Sequence, residues 1–209
     1  MNQEDFKAQK LNTINKEMTD MNSIICELVI NARYISHQRV LSMQSSRNIG
    51  SNKVQRLEKI ISQDFDFFFN GEDLYEKITL EEYLERILQI KELQGPIFIQ
   101  AGLLFYRIIM TPHIYHNFED SQYSIKLFGT CLYICQKMHM DIGFFPKDIG
   151  KLLGLKPKSL NQKELFLFQK IFKFDLRLNE KSYKRFIRLL KALPYKISNL
   201  KHTFNLIKH

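Results

Sequence analysis

Two short pairs of polar residues have types and spacings that could carry chemistry. His113 and His116 lie three residues apart after a proline, a spacing that can hold a metal ion, but no carboxylate or thiolate cluster accompanies them. Asp64 and Asp66 flank an aromatic residue, and paired carboxylates can share acid–base work. We interpret both pairs as solvated loop residues, and we predict no metal site.

The sequence has none of the local motifs that mark the common enzyme classes. There is no glycine-rich phosphate loop, no G-x-S-x-G elbow and no H-E-x-x-H pair. The three cysteines show no paired C-x-x-C spacing; Cys131 and Cys135 lie one helical turn apart, as small residues facing a packed neighbour do. We therefore predict a protein that is not an enzyme, with no cofactor and no disulfide, in the cytoplasm or the nucleus.

Helix-start and helix-stop signals follow one another from residue 78 onward. Thr79 and Glu82 have the capping-box spacing, in which each side chain satisfies an exposed amide at the helix start. The same spacing at Ser159 and Gln162 predicts another helix start. Proline at 96 and 146 suits a first helical turn, and glycine at 154 suits a helix end. The predicted helices cover about 79–90, 96–110, 121–138, 147–153, 159–172 and, as a final amphipathic helix, 181–193.

Residues 1–77 are predicted to form a helical N-terminal extension, with a linker near 45–53 around Gly50. Apolar residues at steps of three and four from Met18 to Ile35 predict one amphipathic helix or a broken pair. An aromatic cluster at 65–69 is expected to pack the extension on the main domain, the alternative being a binding patch. We expect deletion of residues 1–47 to weaken partner binding more than it unfolds the domain. The main domain is assigned to 78–190 and a basic tail to 191–209.

Basic residues are concentrated in the last quarter of the chain. Residues 151–209 contain 15 basic and 3 acidic side chains, whereas residues 1–150 contain 16 and 19. The final helix presents these cations opposite its apolar residues, which gives either a solvated face or a surface for an acidic or phosphorylated partner. We expect neither nucleic acid nor a membrane to be the partner; the apolar stretch 97–110 is too short to span a bilayer. The predicted basic patch consists of Lys181, Lys184, Arg185, Arg188 and Lys191.

Five segments, in order, resemble motifs of the cyclin box in the P-type and U-type cyclins. The stretch Ile78–Ile87 (ITLEEYLERI) resembles the opening I-S-I-x-x-Y-L-x-R-I, and Leu104–Ile108 (LFYRI) resembles Y-L-D-R-F. Lys126–Lys137 (KLFGTCLYICQK) is similar to H-R-L-L-x-x-x-x-x-A-x-K, and Leu160–Glu164 (LNQKE) to M-N-x-L-E. The segment 174–176 (FDL) resembles the end of the box. The resemblance covers about residues 78–190, roughly half of the chain.

The resemblance implies an all-α fold, a cyclin-box-like five-helix bundle with an N-terminal helical extension and a C-terminal helix. It implies a regulatory cyclin subunit that forms a heterodimer with a cyclin-dependent protein kinase and activates it by packing on the kinase αC helix. Lys137 and Glu164 match the family's lysine–glutamate pair, which hydrogen-bonds kinase main chain near αC; charge-assisted hydrogen bonds of this kind are strong and directional. The alternative is a non-activating cyclin-fold adaptor or scaffold in a larger complex.

The chain departs from the family pattern at four places, one of which is Gly143–Phe145, where the family has other aromatic and small residues. Tyr106 stands where the family has the aspartate of its D-R pair, and Gln136 replaces a small residue just before Lys137. The distance in sequence from Glu164 to Phe174 is about one residue longer than in the family pattern. These departures fit either a divergent kinase partner or a cyclin fold that no longer activates a kinase.

Overall fold

The computed structural model describes residues 13, 16, 20–32, 35, 67–69, 74, 78–111, 121–139, 146–173, 175–176, 180–181, 183–190 and 192. Within these residues the fold is all-α, as predicted: there is no strand, and one isolated bridge joins Leu74 and Leu155. The helices are α1 (20–30), α2 (Leu80–Leu88), α3 (Pro96–Ile109), α4 (Ser121–His139), α5 (Pro146–Leu152), α6 (Pro157–Phe166) and α7 (180–181 and 183–190). A 3-10 turn (Lys91–Leu93) follows α2, and a π-helical turn (Leu167–Phe172) continues α6.

The predicted capping box at the start of α2 is confirmed. The Glu82 N–H donates to Thr79 Oγ1 over 3.2 Å, and the Thr79 N–H donates to Glu82 Oε2 over 2.8 Å. Two amides that the first helical turn would otherwise leave without partners are thereby satisfied. Pro96 and Gly154 also act as predicted: Pro96 is the first residue of α3, and Gly154 follows α5 with a φ of 68°, which glycine adopts without strain.

The second predicted capping box is wrong, because α6 begins two residues earlier. Pro157 is its first residue and Lys156 its N-cap, with no side-chain hydrogen bond at the cap. A proline in the first turn has the φ that a helix requires and lacks only an N–H that would be unpaired there. Ser159 is therefore inside the helix, where its hydroxyl oxygen accepts a hydrogen bond from Lys163 Nζ over 2.5 Å.

Helix α1 belongs to the same core as the helices that follow residue 78. Ile25, Leu28 and Val29 are completely buried, and they join the core cluster of α2, α3 and α4. The two helices approach closely at Gly102 of α3, where a Cβ atom would lie 2.9 Å from Ile25 Cγ2. This burial argues against the expectation that residues 1–47 serve partner binding more than folding, since removing α1 exposes the core of the domain.

The centre of the domain is the packing of α3 against α4. The Phe128 ring contacts the rings of Phe98 and Phe105 edge-on, with centroids 5.4 and 5.8 Å apart. Cys131 and Cys135 are free and fully buried, and burial raises the pKa of both thiols well above the ordinary value. The predicted role of these cysteines as small residues in a packed interface is confirmed.

The aromatic cluster packs the extension on the main domain, as predicted. The Phe68 ring stacks on the Phe166 ring with centroids 4.6 Å apart, and Phe69 is fully buried against Tyr123 and Phe166. Lys126 Nζ donates to the Phe69 carbonyl over 3.0 Å. Phe67, by contrast, is 80% exposed. Residues 67–69 are thus held on α6 and α4 by two rings, while the third ring faces outward.

Candidate partner-binding site

The structure brings Lys137 and Glu164 together, although 27 positions separate them in the sequence. Lys137 lies in the last turn of α4, and Glu164 lies near the end of α6. Lys137 Nζ is 2.7 Å from Glu164 Oε1 and 3.0 Å from Oε2, so the ammonium bonds both carboxylate oxygens. The lysine side chain is 46% exposed and that of the glutamate 12%. The pair is therefore at the surface, with the carboxylate recessed and the ammonium outside it.

The electrostatics of the pair keep Lys137 charged. Partial desolvation acts to lower the pKa of its ammonium, but the hydrogen bond to Glu164 and the charge of that carboxylate raise it, and Tyr133 acts in the same sense. The pKa of Lys137 therefore lies above its ordinary value. Lys137 Nζ also lies 5.1 Å from the centroid of the Tyr133 ring, a cation–π arrangement.

A second contact between the same two helices lies beside this pair. Tyr133, one turn before Lys137 on α4, donates its hydroxyl to Asn161 Oδ1 on α6 over 3.1 Å. Burial, with a smaller contribution from Glu164, raises the pKa of Tyr133 against the opposing effect of Lys137, so the hydroxyl keeps its proton. No sequence motif singles out Tyr133 or Asn161. Tyr133 lies four residues before Lys137 and Asn161 three residues before Glu164, so each shares a helix face with one member of the pair.

Exposed apolar side chains follow both members of the Lys137–Glu164 pair in the sequence. Met138 and Leu165, each adjacent in sequence to one member of the pair, are 49% and 54% exposed. His139 Nε2 and Gln100 Oε1 are 2.5 Å apart, which ties the end of α4 to the first turns of α3. The ends of α4 and α6 thus carry both an ion pair and exposed apolar side chains, two components that protein-binding surfaces combine.

Two departures from the family pattern have a structural explanation here. Tyr106 contacts the Phe186 ring of α7, with centroids 5.7 Å apart, so an aromatic contact occupies the place of the acid. Gln136 is completely buried, on the inner face of α4, whereas Lys137 beside it faces outward. Neither residue therefore changes the charge of the surface around Lys137.

The predicted basic patch lies on the outer face of α7. Lys181, Lys184, Arg185 and Arg188 are all exposed, while Phe186 on the opposite face is buried. Lys184 is neutralised by Glu180 one turn earlier, with Nζ 2.5 Å from Oε1. The fifth predicted residue of the patch, Lys191, lies outside the described residues.

Metal and acid–base sites find no support in the part of the chain that the structure describes. His113, His116, Asp64 and Asp66 all lie outside the described residues. Among the described residues, no group of three or more histidine, cysteine, aspartate or glutamate side chains is placed to hold a metal ion. None of the described helices has the length and apolarity needed to cross a membrane.

Comparisons of this chain with protein-family models, with curated proteins and with solved structures give no match. The chemistry available at the site follows from its own side chains. An ammonium with donors to spare can bond main-chain carbonyls, and a carboxylate can accept main-chain amides. This arrangement suits binding to the end of a helix or a turn of another protein, where such main-chain groups lack partners.

Proposed function

We propose that this protein is a regulatory cyclin subunit, which binds a cyclin-dependent protein kinase and activates it by packing on the kinase αC helix. The observation that carries the proposal is the contact between Lys137 and Glu164. The resemblance to the cyclin box pairs these two residues, and their atoms lie 2.7 and 3.0 Å apart at the surface. The sequence spacing within the segment of Lys137, or within that of Glu164, does not predict that the two side chains lie in contact.

Activation follows from the physics of kinases. A kinase transfers phosphate only when its αC glutamate reaches the lysine that binds ATP. A kinase therefore has an active conformation, in which this glutamate–lysine contact is made, and an inactive one, in which it is not. A protein that binds the active conformation more tightly increases its population, by an amount set by the difference between the two affinities. The regulatory subunit itself performs no catalytic step and requires no cofactor. It acts where the kinase acts, in the cytoplasm or the nucleus.

The test is a charge reversal at the pair. Lys137→Glu combined with Glu164→Lys leaves an ion pair within the protein, so the domain is expected to keep its helical content. The charges that face the kinase are exchanged, so each hydrogen bond to kinase main chain meets a group of the wrong kind. We expect the double variant to capture at least about tenfold less kinase from its own cell lysate, the loss that one unmade charge-assisted hydrogen bond produces.

The structure offers a matched control for this variant. Glu180→Lys combined with Lys184→Glu reverses another exposed ion pair, on α7, by the same chemical change. Kinase capture equal to that of the wild type is expected for this control. The proteins captured by the wild type are identified by mass spectrometry. If no kinase is among them, the proposal is wrong.

Measuring kinase activity in the captured complex separates this proposal from its alternative. Stimulated phosphoryl transfer supports an activating subunit. A complex that forms with unchanged kinase activity, or a stoichiometric partner that is not a kinase, supports the non-activating adaptor or scaffold instead.

The basic patch on α7 supplies a second surface within this proposal. Lys181, Arg185 and Arg188 follow one stripe at steps of four and three, and arginine and lysine donate readily to phosphate oxygens. We expect this stripe to contact an acidic or phosphorylated partner of the complex. Steep loss of retention on nucleic acid with rising salt would instead indicate that the stripe binds nucleic acid.

A further inference from the structure

A cleft lies between α1 and α2, apart from the Lys137–Glu164 site. Its volume is about 490 Å³, which lies within the roughly 300–1,000 Å³ range of small-molecule sites. Ile30 from α1 and Leu84 and Leu88 from α2 line it with aliphatic carbon. Leu84 is buried, and the other two are half-buried, so the cleft offers an apolar surface to a ligand.

Two carboxylates lie on the α2 side of this cleft. Glu81 and Glu85 are both exposed and both line it, one helical turn apart. Within the described residues neither forms an ion pair. Like charges at this spacing repel each other, so a cation between them relieves an unfavourable interaction as well as forming a favourable one.

The α1 side of the cleft adds a hydrogen-bond acceptor. Asn22 lines the cleft, and its side-chain carbonyl oxygen is shielded from solvent and accepts no hydrogen bond from the described residues. A buried acceptor without a donor is unfavourable, so a ligand that places a donor against this oxygen gains a hydrogen bond. The two carboxylates and this amide oxygen are all acceptors, whereas Ser23 and Gln94, which also line the cleft, carry both donors and acceptors.

We propose that the cleft is a binding site for a small amphiphilic organic cation, a protonated amine on an apolar body. An ammonium group has three N–H donors and no acceptor, which matches the acceptors Glu81, Glu85 and Asn22. Its positive charge matches the two carboxylates, and its apolar body covers the aliphatic residues of α1 and α2. An anionic ligand of the same shape meets two like charges, and a neutral one leaves both carboxylates uncompensated.

Cys26 provides a reporter for occupancy of the cleft. It lines the cleft and is half-buried, whereas the other two cysteines of the chain are completely buried. Burial, together with the charge of Glu27, raises the pKa of the Cys26 thiol to about 11, so only a small thiolate fraction reacts with an alkylating agent in mildly alkaline buffer. The rate of that reaction falls when a ligand covers the thiol.

The experiment follows alkylation of the full chain by iodoacetamide, a neutral reagent. Labelling is measured with 4-phenylbutylamine, 4-phenylbutanol or 4-phenylbutyrate over the same range of millimolar concentrations. These three probes share one apolar body and differ in charge, and Cys26→Ser gives the background. We expect the amine to protect Cys26 at about tenfold lower concentration than the alcohol, the factor that one hydrogen bond to a charged group supplies, and the acid to protect least.

Variants then separate charge recognition from simple apolar filling. Glu81→Gln combined with Glu85→Gln keeps the size of both side chains and removes their charge, so the amine should protect no better than the alcohol. Glu180→Gln, which removes a carboxylate from α7 outside the cleft, should leave the advantage of the amine unchanged. Equal protection by amine and alcohol in the wild type, no protection by any probe, or an advantage that survives the double variant would each overturn the proposal.

Discussion

Arg107 of α3 donates a hydrogen bond from Nη2 to the main-chain carbonyl of Asp175, over 3.1 Å and across 68 positions of sequence. Its guanidinium also lies 5.1 Å from the centroid of the Phe172 ring. One side chain thus joins α3 to the end of the π-helical turn and to Asp175, three residues beyond it. The family pattern has arginine here as part of a D-R pair; in this chain the arginine bonds the backbone instead.

We expect Arg107→Ala to lower the free energy of unfolding by about 1 kcal/mol, since an exposed hydrogen bond and a partly exposed cation–π contact are both lost. Arg107→Lys should recover part of this loss, because it keeps the charge but not the planar donor geometry. Arg188→Ala, an exposed arginine of α7, is the matched control and should stay within about 0.5 kcal/mol of the wild type. Urea denaturation measures all three, and equal values for Arg107→Ala and Arg188→Ala would contradict the expectation.

Tyr83 and Gly129 make a testable pair in the core. The Tyr83 hydroxyl is fully buried and has no hydrogen-bond partner among the described residues, and burial raises its pKa far above the ordinary value. Removing an unsatisfied buried hydroxyl is favourable, so Tyr83→Phe should raise the free energy of unfolding by about 1 kcal/mol. A lower melting temperature for Tyr83→Phe would show that the hydroxyl is bonded.

The same hydroxyl explains the glycine opposite. A Cβ atom at Gly129 would lie 2.7 Å from Tyr83 Oη and 2.9 Å from Leu155 Cδ1. Gly129→Ala should therefore destabilise the domain by about 1–3 kcal/mol, the usual cost of overpacking a core. Combining it with Tyr83→Phe should recover part of that loss, and strict additivity of the two changes in thermal melts would argue against a direct clash.

The aromatic cluster predicts opposite outcomes for neighbouring residues. Phe69 is completely buried, so Phe69→Ala should cost about 3–5 kcal/mol, the range for large-to-small changes at buried phenylalanines. Phe67 is 80% exposed, so Phe67→Ala should change stability by no more than about 0.5 kcal/mol. Chemical denaturation of the two variants gives the comparison, and similar losses at both positions would mean that the extension does not pack as described.

The capping box of α2 predicts how stability depends on acid pH. The main-chain hydrogen bond from Thr79, and then the contact with its side chain, hold the pKa of Glu82 below its ordinary value. A depressed carboxyl pKa means that the stabilisation is present above that ordinary value, 4.5, and is lost as the pH falls through the lower value of the folded state. The wild type should therefore have a higher free energy of unfolding than Glu82→Gln at neutral pH, and this difference should vanish in strong acid.

A cap variant gives the second arm of this test. Thr79→Ala removes the other half of the box and should cost about 1 kcal/mol at neutral pH. Denaturation curves at several pH values measure both variants. If the wild type remains more stable than Glu82→Gln by the same free energy in strong acid, the charge of the carboxylate has no part in the cap.

Helix starts and ends could be predicted from the sequence where a single local signal marks them. Where two start signals lie within one turn of each other, the predicted start was wrong. Thr79 and Glu82 predicted the start of α2 because both hydrogen bonds are local. At α6 the spacing of Ser159 and Gln162 predicts the wrong start, because Pro157 occupies the first turn of the helix. Pro96 correctly predicted the start of α3, and Gly154 the end of α5.

Contacts between helices could not be read from spacing. The pairing of Lys137 with Glu164 was implied only by the family resemblance, and its geometry depends on how α4 packs on α6. Tyr133 with Asn161 carried no sequence signal strong enough to single it out. The cleft between α1 and α2 was likewise missed, because it arises from two amphipathic helices whose relative placement depends on the whole core.

The π-helical turn at Leu167–Phe172 continues α6 with one turn wider than those of an α-helix. An added residue in a regular α-helix would rotate everything after it by about 100° about the helix axis, moving buried side chains towards solvent. One wider turn absorbs the addition, and Leu167 and Phe172 at its two ends both remain buried. A one-residue difference in length, such as that between this segment and the cyclin-box motif that it resembles, is the size that a single bulge of this kind accommodates.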